Sequence, residues 1–449
     1  MIFSQYIMLE KVPGSVDPLG FLKPSSALAD KLFRQFTVLS NHPAYHGFLC
    51  CAYDYLRRAG VAPGQRDFSR RFRDLEILWG LINVWERPPD PAGRDGKGGQ
   101  QGEVAAAAVS ILNVTKFKPL LQEGDLSLPG ARSFLPLYQR LNYGTLGHYS
   151  SPSMFWGLLD AKGVNLTPVG QRLAEAWRRR GNLDFDDLLR QWDAGKQATE
   201  IPGFDRAVGL FPIAGLPSAG EKAVWLDLIE EYCRTHRDTR QLWESPLSLG
   251  DLGLYAGGNG SDDVERARQR ASFFPTAIEH WQGEPELTNR LRLADGFEML
   301  AAVAQAILDW EYVLRLDETR PNLPVDVGIP EVLFELAKRL AEPYLALPGA
   351  VQPGTLFESM ATAKSAGYLV TAVLEHHASH QKSKGAMAYI DGEHVAVRDK
   401  VDVNDFARFI AAISANPSDL PHRLRWRYRR DWHFLRAETW RRYANGVRP

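Results

Sequence analysis

Nine arginines crowd residues 421–449, at 423, 425, 427, 429, 430, 436, 441, 442 and 448, and only Asp431 and Glu438 oppose them. Trp426, Tyr428, Trp432, Phe434, Trp440 and Tyr443 are interleaved. Guanidinium groups pair with phosphate, and aromatic rings stack on unpaired bases. Arg425, Arg427, Arg429 and Arg430 are therefore candidate nucleic-acid ligands. The stretch also reads as an amphipathic helix, because Leu424, Tyr428, Trp432 and Leu435 fall on one stripe that can dock on the body of the protein. The two roles can coexist.

A second basic group lies around Arg140, Lys162, Arg172, Arg178, Arg179 and Arg180. A short helical pattern at 151–164 has Pro152 in its first turn and Gly163 at its end. The run NLTPVGQRLAEAWRRRG follows at 165–181. There Thr167 is placed to cap a helix, Pro168 to occupy its first position, and Leu173 and Trp177 to share a face. A short helix, a glycine turn and an L-T-P-x-G helix start form the cadence of a winged helix-turn-helix. In such modules one helix can enter the major groove while nearby cations hold phosphates. Arg140, Lys162, Arg172, Arg178 and Arg179 are the candidate ligands here. Winged helices also serve as packing modules, and Met154, Phe155 and Trp156 have core character.

The histidines offer a third chemistry. His376 and His380 are four apart on one helical face, a spacing that suits a metal, with His377 beside them. Asp391, Glu393 and His394 in a following turn could add ligands. H-E-x-x-H is absent, and histidines near a helix C-terminus also interact favourably with its dipole. His42, His46 and Cys50 share a similar face on an earlier helix, where packing or exposure is the simpler role. Cys50 and Cys51 read as core thiols. Arg427 and His433 form the loose R-x5-H string of the helical ribonucleases called HEPN domains, a string that an arginine-dense tail produces readily by chance. There is no G-x-S-x-G elbow, no dinucleotide fingerprint, and GRDGKGG at 93–99 fails the phosphate-loop spacing. No residue is assigned a catalytic role, and no metal or cofactor is assigned.

The elements that must position these residues are helical. Ser25 or Ser26 can cap a helix striped by Leu28, Leu32 and Phe36. A second carries Tyr45, Phe48, Leu49, Ala52 and Leu56 and stops at Gly60. A third runs from about Phe68 through Phe72, Leu75, Leu78 and Ile82. Residues 88–102, PPDPAGRDGKGGQQG, have nothing to pack and read as a linker. Helical patterns resume at 131–141 and 218–236. Asp262 and Glu265 make a capping-box pattern. One long helix is expected at about Glu286–Leu316 and another at Leu356–His380. A hairpin signal follows around Asp391-Gly392 within 386–398. This predicts a mainly α, multidomain protein: an N-terminal helical domain (1–87), a linker (88–104), a winged-helix-like domain (105–185), a central helical domain (186–345), and a C-terminal helix-hairpin-helix region with the basic tail (346–449).

The chain has 449 residues, 45% hydrophobic and 24% charged, with a net charge of −1. Because 421–449 carries +7, the remainder carries −8, so the whole chain is no polybasic nucleic-acid wrapper. No apolar run reaches the length of a membrane span. The first residues lack a signal-peptide pattern, and three cysteines make no disulfide framework. A cytoplasmic location and no membrane partner are expected.

The stretch LGFLKPSSALADKLFRQFTVLSNHPAYHGFLCCAYDYL (19–56), then FRDLEILWGLI (72–82) and W-G-L-L-D…L-T-P-x-G-x-x-L-A (156–174), resembles a little-characterised bacterial family found in multi-gene anti-phage defence islands. The aromatic helix of that family usually begins Arg-Tyr, whereas here Ala44 precedes Tyr45. The resemblance covers about the first 180 residues and transfers no catalytic residue. It implies a helical, winged-helix-containing accessory subunit working beside a separate helicase, ATPase or nuclease. The expected function is a non-catalytic DNA-binding or scaffold component with DNA and other defence subunits as partners. The rivals are a metal-dependent nuclease or ribonuclease built on the C-terminal histidines, and a protein–protein adaptor using the Arg/Trp tail.

Overall fold

Apolar residues at helical spacing become helix along most of the chain. The computed structural model describes residues 17–33, 35–36, 42–85, 121, 125–134, 145–213, 215–244, 274–316, 329–386, 390–391, 394–395 and 432–446. In chain order the first helices are α1 (Leu22–Leu32), α2 (Ala44–Arg58), α3 (Arg66–Val84), α4 (Leu128–Phe134), α5 (Thr145–Phe155) and α6 (Pro168–Arg178). A β1–β2 hairpin (Arg179–Arg180, Leu183–Asp184) leads to α7 (Phe185–Asp193), α8 (Phe204–Leu210), α9 (Ala219–Thr235) and α10 (Gln241–Glu244). Then come α11 (Pro285–Leu316), α12 (Glu331–Leu345), α13 (Leu356–Thr362), α14 (Ala366–Ser383), the β3–β4 pair (Ile390–Asp391, His394–Val395) and α15 (Trp432–Ala444). The protein is mainly helical, and both strand pairs are short and antiparallel.

The chain divides into two compact units. The first takes its described residues from 17–32 and 274–395, the second from 33–244 and 432–446. In the first, α11 is the central helix. Phe297, Leu300, Ala301, Val303, Ala304, Ile307 and Leu308 are all buried, so its middle turns are apolar on most sides and must be enclosed. Helices α1, α12 and α14 pack on it. In the second unit α2 is the most enclosed helix, and its closest neighbour is α6. Gly47 makes that approach possible, since a Cβ there would stand 2.2 Å from Trp177 Cδ1. Phe48 stacks on Trp79 at 4.4 Å, and Trp177 meets Phe185 at 4.9 Å.

Several boundaries differ from the sequence reading, each for a tertiary reason. Helix α1 begins at Leu22, so Ser25 and Ser26 lie inside it. Its cap is Asp17, whose carboxylate accepts from Phe21 N (2.8 Å) and Leu22 N (3.0 Å). Helix α5 begins at Thr145, leaving Pro152 in its interior, because Glu76 of α3 accepts from Thr145 N at 2.6 Å. The pattern at 356–380 is two helices, with Ser365 capping the second by accepting from Tyr368 N. The strand pairing is Ile390↔Val395 and Asp391↔His394, so the reversal falls between Asp391 and His394. The expected 88–102 linker, the Asp262/Glu265 capping box and residues 135–141 lie outside the described residues.

Candidate nucleic-acid interface and the histidine face

Residues 145–193 run helix, turn, helix, hairpin, helix. The turn between α5 and α6 is closed by an isolated bridge, Leu159↔Leu166. Asp160 organises it by accepting from Lys162 N (3.2 Å), Val164 N (2.8 Å) and Asn165 Nδ2 (2.9 Å). These donors, the Val164 amide first, hold the Asp160 carboxyl below its ordinary pKa. Thr167 caps α6 by accepting from Gly170 N, with Pro168 at its start, as the local sequence predicts. After α6, Gly181 adopts φ +59 where the β1–β2 hairpin reverses, a left-handed conformation that suits glycine.

The cations on this stretch have different fates. Lys162 is exposed. Arg172 is exposed and places both Nη atoms 3.2 Å from Asp227 Oδ2. Arg179 is 63% exposed, with Nε 3.7 Å from Asp184. Arg178 is only 15% exposed and stands among three carboxylates: Asp54 at 3.7 Å, Asp184 at 3.7 Å and Asp186 at 3.4 Å. Arg58 also donates to Asp186, at 2.6 Å. Burial still lifts the Asp186 carboxyl above its ordinary pKa, against the pull of both arginines.

Arg180 is 4% exposed and wholly internal. It donates to Glu221 Oε2 (3.1 Å) and Oε1 (2.7 Å), to Leu210 O (2.7 Å) and to Tyr443 Oη (3.0 Å). Tyr443 in turn donates to Glu221 Oε1 at 2.8 Å. The guanidinium lies over Trp177 and Phe211, 5.5 Å from each ring centre. Glu221 also completes a capping box with Ser218 at the start of α9. One buried arginine therefore joins the hairpin, α9 and α15, a role the sequence reading missed.

No protein-family model, curated protein or solved structure matches this chain.

Of the remaining predicted ligands, Arg140, Arg425, Arg427, Arg429 and Arg430 lie outside the described residues. The described end of the tail docks: Trp440 and Tyr443 of α15 are buried, with Trp440 stacked on Trp156 at 5.0 Å and edge-on to Trp225 at 4.8 Å. The side chain of His433 and those of Asp391, Glu393 and His394 are outside the described set.

The histidines of α14 serve a turn of the first unit. His376 donates from Nε2 to Leu19 O (2.9 Å), and His377 from Nδ1 to Pro18 O (2.9 Å). Gln381 and Lys384 donate to Pro18 O (2.8 Å) and Asp17 O (2.9 Å). The rings of His376 and His380 are parallel, 6.5 Å apart. Among the described residues no group of three or more His, Cys, Asp or Glu is placed to hold a metal ion. In the second unit His42 and His46 are fully buried, and burial pushes both down to about 3. Arg180 adds to the shift at His42. His42 Nδ1 accepts from Ala44 N at 3.2 Å, and His46 Nδ1 pairs with Ser153 Oγ at 2.7 Å. Cys50 and Cys51 are buried beside them, and burial raises both thiols.

Proposed function

We propose that the protein is a non-catalytic DNA-binding or scaffold subunit of a bacterial anti-phage defence complex, acting in the cytoplasm beside a helicase, ATPase or nuclease. The observation that carries this reading is the division of cations along 160–180. Arg178 and Arg180 are committed to carboxylates and stiffen the segment, while Lys162, Arg172 and Arg179 keep their charged heads in solvent. Arg172 is on α6, and Arg179 follows directly at the start of β1. A rigid stretch with exposed cations suits phosphate contact, which positions a duplex without reading its bases. The order helix, turn, helix, hairpin supports a winged-helix interpretation of 145–184. Among the described residues no helix is long and apolar enough to cross a membrane.

Binding of duplex DNA to the full chain, followed from low to moderate salt, tests the proposal. Each phosphate contact contributes a log–log slope of about −0.9. Replacing Lys162, Arg172 and Arg179 together by Gln flattens the slope by roughly two to three units and weakens all sequences alike. An unchanged slope refutes this surface. The adaptor reading has one observation in its favour: Phe155, at the end of α5, is 59% exposed. Loss of a protein partner on Phe155→Ala, with DNA binding intact, would favour it.

A further inference from the structure

Asp17–Phe21 lies in the first unit as a peptide lies in a groove. Three consecutive carbonyls, those of Asp17, Pro18 and Leu19, are taken by Lys384, by His377 with Gln381, and by His376. Three of the four donors come from α14 and the fourth, Lys384, from its C-terminal cap. Carbonyl recognition of this kind grips the backbone, and specificity must come from the side chains around it. Gly20 supplies part of it: its φ is +75, and a Cβ there would stand 2.5 Å from His380 Cε1. Phe21 supplies the rest. It is fully buried, with its ring 6.0 Å from Phe297, 6.1 Å from Phe357 and nearly parallel to His376 at 6.2 Å.

The segment that fills this groove lies in the same unit but is separated by more than 270 residues of sequence from the residues that build it. The groove comes from 297–384, whereas the arm continues through α1 to Leu32, and from Phe33 the chain builds the second unit. A segment lent by one part of a chain to another is the arrangement from which exchange between copies arises. We propose that α11, α13 and α14 form a recognition site for an Asp-Pro-Leu-Gly-Phe turn, filled in cis by this chain's own arm and exchangeable with the same arm of a second copy. The inference stands apart from nucleic-acid binding, since none of its residues is a proposed DNA ligand.

The test uses the full chain and a labelled peptide of residues 14–24. Gly20→Val forces a side chain against His380 and frees the arm, which raises amide exchange across 22–32. That variant binds the peptide one to one by fluorescence anisotropy. Adding His377→Ala and Gln381→Ala removes the binding. The wild-type chain binds at least about tenfold more weakly, because its tethered arm competes at an effective concentration on the order of millimolar. Mixing the Gly20→Val chain with a chain carrying only His377→Ala and Gln381→Ala pairs a free groove with an intact arm. Sedimentation then shows a heterodimer that neither chain forms alone. If Gly20→Val unfolds the unit, Phe21→Asp replaces it in the same scheme. The proposal is overturned if a folded, arm-released chain ignores the peptide, if peptide binds but no heterodimer forms, or if neither variant releases the arm without unfolding.

Discussion

Glu221→Gln isolates the energetics of the buried arginine. The substitution keeps the size of the side chain and removes its charge, so an amide that presents N–H as well as oxygen now meets Arg180. The guanidinium is 4% exposed, and its other acceptors are Leu210 O and Tyr443 Oη, so it has no route to water. Breaking one side of a buried ion pair costs about 3–5 kcal/mol. Against a typical domain stability of about 5–15 kcal/mol, that is a large share of what holds the second unit. At about 2–4 °C per kcal/mol for a domain of this size, the midpoint falls by roughly 6–20 °C. Two units are expected to give more than one transition, so the assay must resolve them. Urea unfolding followed by tryptophan emission weights the second unit, because Trp79, Trp156, Trp177, Trp192, Trp225, Trp243 and Trp440 are buried there, whereas the described residues of the first hold Trp281 and Trp310. Tyr443→Phe, which removes two hydrogen bonds to charged groups, one accepted from Arg180 and one donated to Glu221, costs about 1.5–3 kcal/mol for each. Arg180→Met with Glu221→Met recovers most of the loss, since it leaves no charge unpaired. A Glu221→Gln chain within about 0.5 kcal/mol of wild type refutes the reasoning.

The helical class was legible because apolar spacing records burial along a single element. The long helix 285–316 is the clearest case: its pattern runs for many turns, and the observed start lies one residue from the expected one. The Thr167 cap and Pro168 were legible for a similar reason, as their partners lie within three residues. Boundaries failed where the deciding partner is distant. Glu76 starts α5 from 69 residues away, and Asp17 starts α1 across a turn that α14 holds from the other end of the chain. The Arg178-Arg179-Arg180 run shows the same limit for the site. In the sequence the three are equivalent positive charges, whereas in the fold one is exposed, one stands among aspartates and one is internal. Their partners, Asp54, Asp186 and Glu221, come from three different helices, and no local pattern pairs them in advance. Glu221 has a second task beyond its capping box with Ser218, and no local pattern shows it, because it depends on a helix more than two hundred residues later.

Two further outcomes follow from burial. In the native protein a thiol reagent labels Cys233 alone and slowly, since that thiol is half-buried and pushed up to about 11, while Cys50 and Cys51 react only after unfolding; rapid labelling of three thiols in the folded chain contradicts this packing. Acid acts on the second unit through His42 and His46. Both rings are held neutral down to about 3 when folded and take up protons near 6.5 when unfolded. The unfolded state therefore binds more protons throughout the interval between these values, so stability is full above about 6.5 and falls as pH drops towards 3. At one unit below 6.5, each histidine costs roughly 1.4 kcal/mol, and the pair about 3 kcal/mol. Denaturant midpoints of the second unit measured from pH 7.5 to 5.0 should decline with that slope. His46→Phe should remove about half of the decline, whatever it does to stability at pH 7.5, because a ring with no titratable nitrogen leaves only His42 to draw protons into the unfolded state. A pH profile that stays flat in the wild type, or one that keeps its full slope in His46→Phe, would mean that these imidazoles reach water and that α2 is not the closed centre of its unit.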